Sequence, residues 1–199
     1  MFRNHLGWGI AACLAGAAQA QGASDGASAA SAARATFEFA QVRSLVQPSD
    51  VVGHAHSGVF CGGEVELHAS NLVEQTANTD SQFAFRKLAK ELDVPMFVRE
   101  VSPFDTETTT GADFRLGGVL QRLHIDACDD GGTHKGSAEL EVKWEVFSAR
   151  QQRVVLSKVV KGEYRTDDYV SGPLEARAYV NSLHRFMASD EFKALADAR

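Results

Sequence analysis

Between Ala138 and Val146 every second residue is apolar: Ala138, Leu140, Val142, Trp144 and Val146 alternate with Glu139, Glu141, Lys143 and Glu145. A period of two sends successive side chains to opposite faces, so the segment predicts a strand with one face in the core and the other in water. Val119 to Ala127 carries the same signature, with odd positions mostly apolar and Arg122, His124 and Asp126 turned the other way. After a short polar connection holding the basic cluster Arg150 to Arg153, the run from Arg153 to Tyr164 supplies Val154, Val155, Leu156, Val159 and Val160. The last two of these runs predict an antiparallel hairpin, with the basic cluster at its solvated turn.

Helical spacing occurs on either side of this block. Within Asp80–Leu92 the residues Phe83, Ala84, Leu88 and Leu92 recur at helical spacing while Arg86, Lys87, Lys90 and Glu91 take the wet side. Thr79 or Asp80 suits the N-cap, and Val94-Pro95 stops the helix. Met96 to Val101 reads as a strand leading into a polar loop that runs through Thr110. Near the C-terminus, Ser171-Gly172-Pro173 predicts a helix start with proline in the first turn, and Leu174, Tyr179, Leu183 and Phe186 form its packing face. Ser189-Asp190 restarts a short helix carrying Phe192 and Leu195. The N-terminal half is less determinate: Phe37 and Phe39 alternate as in a strand, Val42, Leu45 and Val46 fit a helix equally well, and Val59 to Leu67 is extended around a glycine pair. The pattern as a whole predicts an α+β fold, a mainly antiparallel sheet of three to five strands with two or three helices packed on one face. Leu140, Val142, Trp144 and Val146 form its structural core, with Trp144 the largest unit.

The first residues change the setting. Arg3 provides a short basic region, Leu6 to Ala18 an apolar run, and Ala18-Gln19-Ala20 a small-x-small cleavage pattern, so residues 1–20 read as a signal peptide cut near Ala20/Gln21. Residues 21–35, rich in Ala, Ser and Gly, read as a flexible tether, and 36–199 as a single α+β domain of about 165 residues. The expected location is periplasmic or secreted. The apolar run is shorter than the ~20 residues of a membrane helix and Cys13 leaves with it, so no stable membrane insertion is expected after cleavage. The formal charge of the whole chain is −6, its acids are dispersed and no basic patch stands out, which speaks against nucleic acid as a partner.

In an oxidising compartment the two remaining cysteines, Cys61 and Cys128, read as a disulfide closing a loop of about 68 residues. A metal site, a reactive thiol or an intermolecular bridge are the competing readings. His54-Ala55-His56 with Cys61 has a spacing that places three metal-ligating groups in one loop, without a fourth ligand; two exposed histidines explain it more simply. His124, Asp126 and Ser137 assemble a Ser/His/Asp set on paper, lacking the elbow and oxyanion context such sets need. Glu139, Glu141 and Glu145 suit a solvated sheet face better than acid–base chemistry. Asp129-Asp130-Gly131-Gly132 reads as a tight turn rather than a calcium loop, and Gly117-Gly118 and Gly62-Gly63 lack the context of a phosphate loop. No cofactor, metal or catalytic residue is implied.

The run Asp113 to Cys128, with Lys135-Gly136-Ser137 and the strand through Lys143-Trp144-Glu145-Val146-Phe147, resembles a unit of exported bacterial proteins. Similar modules stand in front of trypsin-like protease domains and in envelope auxiliary lipoproteins, of the kind that assist ABC transporters or activate cell-wall synthases. The resemblance spans Asp113 to Leu195 and its motifs are structural. It implies a non-enzymatic exported accessory module that binds another envelope protein or an unknown ligand through a sheet edge or through the Thr106 to Gly111 loop. The alternative is a small secreted hydrolase or metalloenzyme built on His54 and His56.

Overall fold

The computed structural model describes residues 34–57, 61–69, 71–97 and 111–197, with backbone alone for 71–76. The leader, most of the tether and the Thr106 to Thr110 part of the proposed contact loop therefore lie outside the described residues. In chain order the elements are β1 (Phe37–Ser44), β2 (Val51–Ser57), β3 (Gly63–His68), α1 (Asn71–Glu91), β4 (Phe114–Asp130), β5 (Thr133–Ser148), β6 (Arg153–Ser171), α2 (Leu174–Met187) and α3 (Asp190–Ala196). No helix among the described residues is long and apolar enough to cross a membrane.

β4, β5 and β6 form an antiparallel meander. Its first turn is made by Gly131 (φ +60°) and Gly132 (φ +90°), the two left-handed positions of a type I′ hairpin turn, and Asp129 Oδ1 accepts from Gly132 N at 3.2 Å. That turn is the role of the Asp-Asp-Gly-Gly segment. The free edge of β4 carries two strands end to end, both parallel to it: β1 along Phe114–Leu120 and β2 along Ile125–Asp129. β3 adds to β2 in the antiparallel sense.

The α+β class is as expected, but the sheet is a six-stranded mixed sheet rather than a mainly antiparallel one of three to five strands. The extra strands come from the poorly patterned N-terminal half. β1 breaks register between Phe39 and Val42, and β2 between Val51 and Gly53, so neither shows a clean period of two. The bulge in β1 is held from outside: Val42 N donates to Asn78 Oδ1 (2.5 Å) and Asn78 Nδ2 donates to Val42 O (2.8 Å). Met96 makes only a single bridge, to Phe37, and residues 98–110 of the expected strand and loop lie outside the described residues.

The helices pack on the face that carries Leu140, Val142, Trp144 and Val146, each at most 2 % exposed. Trp144 Nε1 donates to Ser182 Oγ on α2 at 2.9 Å, and that hydroxyl donates to Val160 O on β6 at 3.1 Å. α2 lies so close to β6 that a Cβ on Gly162 would stand 2.1 Å from the carbonyl oxygen of Ala178. Asn181 and Arg185 donate to the carbonyls of Glu163 and Lys161, tying the edge strand to the helix.

Four local expectations need correction. β4 changes phase at a bulge between Leu120 and Arg122, so Leu120 is buried in the core and Val119 faces away from it; the odd-position rule holds only from Leu123 onward. α1 starts at Asn71, nine residues before the expected start at Asp80. Its core residue is Phe85, while Phe83 is 74 % exposed, because two phenylalanines two positions apart cannot share one helix face. Finally, Pro173 is the N-cap of α2 rather than a first-turn residue.

Candidate functional site

Because the helices of the described residues all lie on one side, the other side of the meander faces solvent with its polar residues in register. Across β4, β5 and β6 the successive rows are Arg115/Phe147/Val154, Gly117/Glu145/Ser157, Val119/Lys143/Val159, Arg122/Glu141/Lys161, His124/Glu139/Glu163 and Asp126/Ser137/Arg165. The register that aligns these rows is a property of the assembled sheet and is invisible in any one strand.

Two of the rows bound a trough of about 590 Å³. One wall is the row Arg122/Glu141/Lys161, in which Glu141 lies 3.9 Å from Arg122 and 3.7 Å from Lys161. The opposite wall is the row His124/Glu139/Glu163. Glu139 and Glu163 stand directly across from each other on neighbouring strands, and neither has an ion-pair partner among the described residues. The residues between the walls, Leu123, Leu140 and Gly162, direct their side chains to the core or have none, so the floor is backbone. The trough ends at the Val46–Val52 segment, where the chain leaves β1 and rejoins the edge of β4 as β2.

A second depression, about 440 Å³, continues along the same face. Cys61 and Cys128 are bonded to each other on its wall, Cα to Cα 5.6 Å. Tyr169 OH lies 3.5 Å from the sulfur of Cys128 and 3.8 Å from that of Cys61, and Lys135 Nζ sits 4.8 Å from the Tyr169 ring centre. Here the structure joins His56 to Asp126, Nε2 to Oδ1 at 3.2 Å. That pairing crosses two strands distant in sequence; the only sequence trace is that His56 and Asp126 both fall on polar alternation positions.

The Ser/His/Asp set does not assemble as a relay: Ser137 stands across from Asp126, and His124 stands across from Glu139. His54 and His56 share the open face but hold separate partners, His54 with Glu64 (3.7 Å) and His56 with Asp126. Among the described residues no group of three or more His, Cys, Asp or Glu side chains is placed to share a metal ion. On the helix side, a smaller cavity of about 230 Å³ lies under the start of α2, floored by Ala55, Leu67, Ile125 and Ala127. Burial at its rim raises the pKa of Glu175 above the ordinary carboxylate value; bonding to its own backbone and His134 oppose the rise, and Asp80 adds to it.

No family model matches the sequence, and no curated protein matches it. Among solved structures the chain is similar to protein XCC0632 of family DUF330 from Xanthomonas campestris, at 10% identity over 81% of this chain and 82% of that one, with a TM-score of 0.37. It is also similar to PelC from Paraburkholderia phytofirmans, solved as a dodecamer, at 12% identity over 83% and 92% and a TM-score of 0.38. Lipoprotein GNA1162 from Neisseria meningitidis matches at 9% identity over 77% and 98%, with a TM-score of 0.33. At these values the similarities carry no argument about activity, partners or assembly.

Proposed function

We propose that this chain is an exported accessory module of the bacterial cell envelope, without catalytic activity of its own, that binds a partner on the uncovered face of its sheet. The observation that carries the reading is the asymmetry of the sheet: α1, α2 and α3 pack on one face, while the other presents in-register polar rows and two adjoining depressions. A sheet face with this much relief is a suitable binding surface because its side chains stand on a rigid hydrogen-bonded frame. The Cys61–Cys128 bond supports export, since structural disulfides persist in oxidising compartments. So does the leader pattern.

The test is site-specific photo-crosslinking in the producing cell. Photoreactive residues at Lys143 and Glu163, on the open face, are expected to give discrete adducts, and one at Arg86, on the outer side of α1, to give none. Adducts from Arg86 alone, or from no position, overturn the reading. Mass spectrometry of the envelope fraction is expected to find a mature chain starting near Gln21; an intact Met1–Ala20 segment there refutes export with cleavage. The enzymatic alternative predicts stoichiometric zinc in untagged protein and hydrolase activity lost in His56→Ala.

A further inference from the structure

The trough has two walls of opposite sign. In the row Arg122/Glu141/Lys161 two cations share one carboxylate, leaving an excess positive charge. In the row His124/Glu139/Glu163 two carboxylates stand directly opposite each other with no cation bonded to either. Like charges directly across a pair of strands are destabilising, so the sheet pays for this arrangement in the free protein. The walls are two residues apart along the strand, about 7 Å. The floor between them is backbone, without a side chain to separate bound charges, and the volume lies within the usual range for small-molecule sites.

We infer that the trough binds a small zwitterion of dipeptide size, whose primary ammonium sits between Glu139 and Glu163 and whose carboxylate reaches Arg122 and Lys161. The ammonium provides the counter-charge that the paired glutamates lack. Its three hydrogens match two carboxylates, and a guanidinium fork suits the carboxylate at the other end. This rests on the reading that the uncovered face is the working surface, and narrows it to a ligand chemistry.

The test uses the full mature protein and 6-aminohexanoate, whose extended chain holds its two charges about 7 Å apart, near the two-residue spacing of the walls. Hexylamine and hexanoate serve as single-charge controls, read by amide chemical-shift titration, which detects weak binding. The zwitterion is expected to shift amides of residues 121–124, 139–141 and 161–163 and to bind roughly tenfold more tightly than either control, each charge adding its own assisted contact. Glu139→Gln with Glu163→Gln should reduce its affinity to that of hexanoate, while Arg86→Gln leaves it unchanged. Because these glutamates are exposed and repel each other, the double variant should fold at least as stably as the parent, which a thermal melt verifies. Equal binding of all three compounds, binding elsewhere, or no binding at millimolar concentration overturns the inference. Open-face crosslinks that persist beside such a failure leave the accessory-module reading standing; their loss removes both.

Discussion

Ser182 is the joint between the meander and α2, and its removal tests how that joint is held. The side chain is fully buried, as is Trp144, and its hydroxyl both accepts from Trp144 Nε1 and donates to Val160 O. Ser182→Ala keeps the volume nearly constant but leaves the indole N–H without a partner at a site that water does not reach. The cost of such an orphaned buried donor is about 1–3 kcal/mol, which sets the expected loss. In a Trp144→Phe background the donor no longer exists, so the same Ser182→Ala change should cost about 1 kcal/mol or less, the value of the remaining bond to Val160. The cycle should therefore return a coupling of about 1–2 kcal/mol. Urea unfolding of the four proteins, disulfides intact and slopes unchanged, supplies the numbers. Equal costs of Ser182→Ala in the two backgrounds, within about 0.3 kcal/mol, would refute a direct bond between indole and hydroxyl as the tie.

Three further outcomes can be measured with the same method. Gly162→Ala should destabilise by about 3 kcal/mol or more, beyond the usual overpacking cost, because the added methyl meets the Ala178 carbonyl and not a movable side chain; a neutral result would mean that α2 lies farther from β6 than described. Thiol titration of the denatured, unreduced protein should find neither Cys61 nor Cys128 free, and reduction should lower stability by about 4 kcal/mol in the chain-entropy account of a loop this long. The raised pKa of Glu175 means that the folded state retains a proton the unfolded state has released, so its contribution is most favourable below the ordinary value of 4.5 and is lost as pH rises through the folded value. Glu175→Gln should therefore gain stability relative to the parent between pH 4.5 and 7, with His134 and Asp80 still facing the site; a difference that stays flat over that range would contradict burial as the cause.

Most of the meander could be read from the sequence because each strand has one sealed and one wet face, so the period of two survives in β5 from Ala138 to Ser148. β4 obeys it in two halves of opposite phase, and the bulge that joins them shows in the sequence only as Leu120 followed by Leu123 where a spacing of two is due. β1 and β2 escape the pattern because each is short and broken by a bulge, and their parallel partner lies far along the chain. Phe83 misleads because helical spacing offers Phe83 and Phe85 as rivals for one face, and only packing against β1, where Phe85 meets Phe39 at 5.7 Å between ring centres, decides between them. The trough was not legible at all: its wall residues are ordinary solvated-face residues in each strand, and their charge pattern exists only once three strands are in register.

The laying of β1 and β2 on one edge of β4 also orders events in time. Thr36 meets Asp113 across 77 residues, and among the described residues no strand nearer in sequence offers β1 a full ladder. A chain that emerges N-terminus first thus carries β1 and β2 before their template exists, with only β3 able to pair locally with β2. Closing so long a loop is slow, and during that interval the early strands are bare edges available to any neighbouring chain. The meander β4–β5–β6, whose contacts are between consecutive segments, can form as soon as it is released and then receive them. Nascent copies of this protein are consequently most vulnerable to mispairing while residues 37–57 wait for 114–130, and a holding chaperone would act on that stretch first.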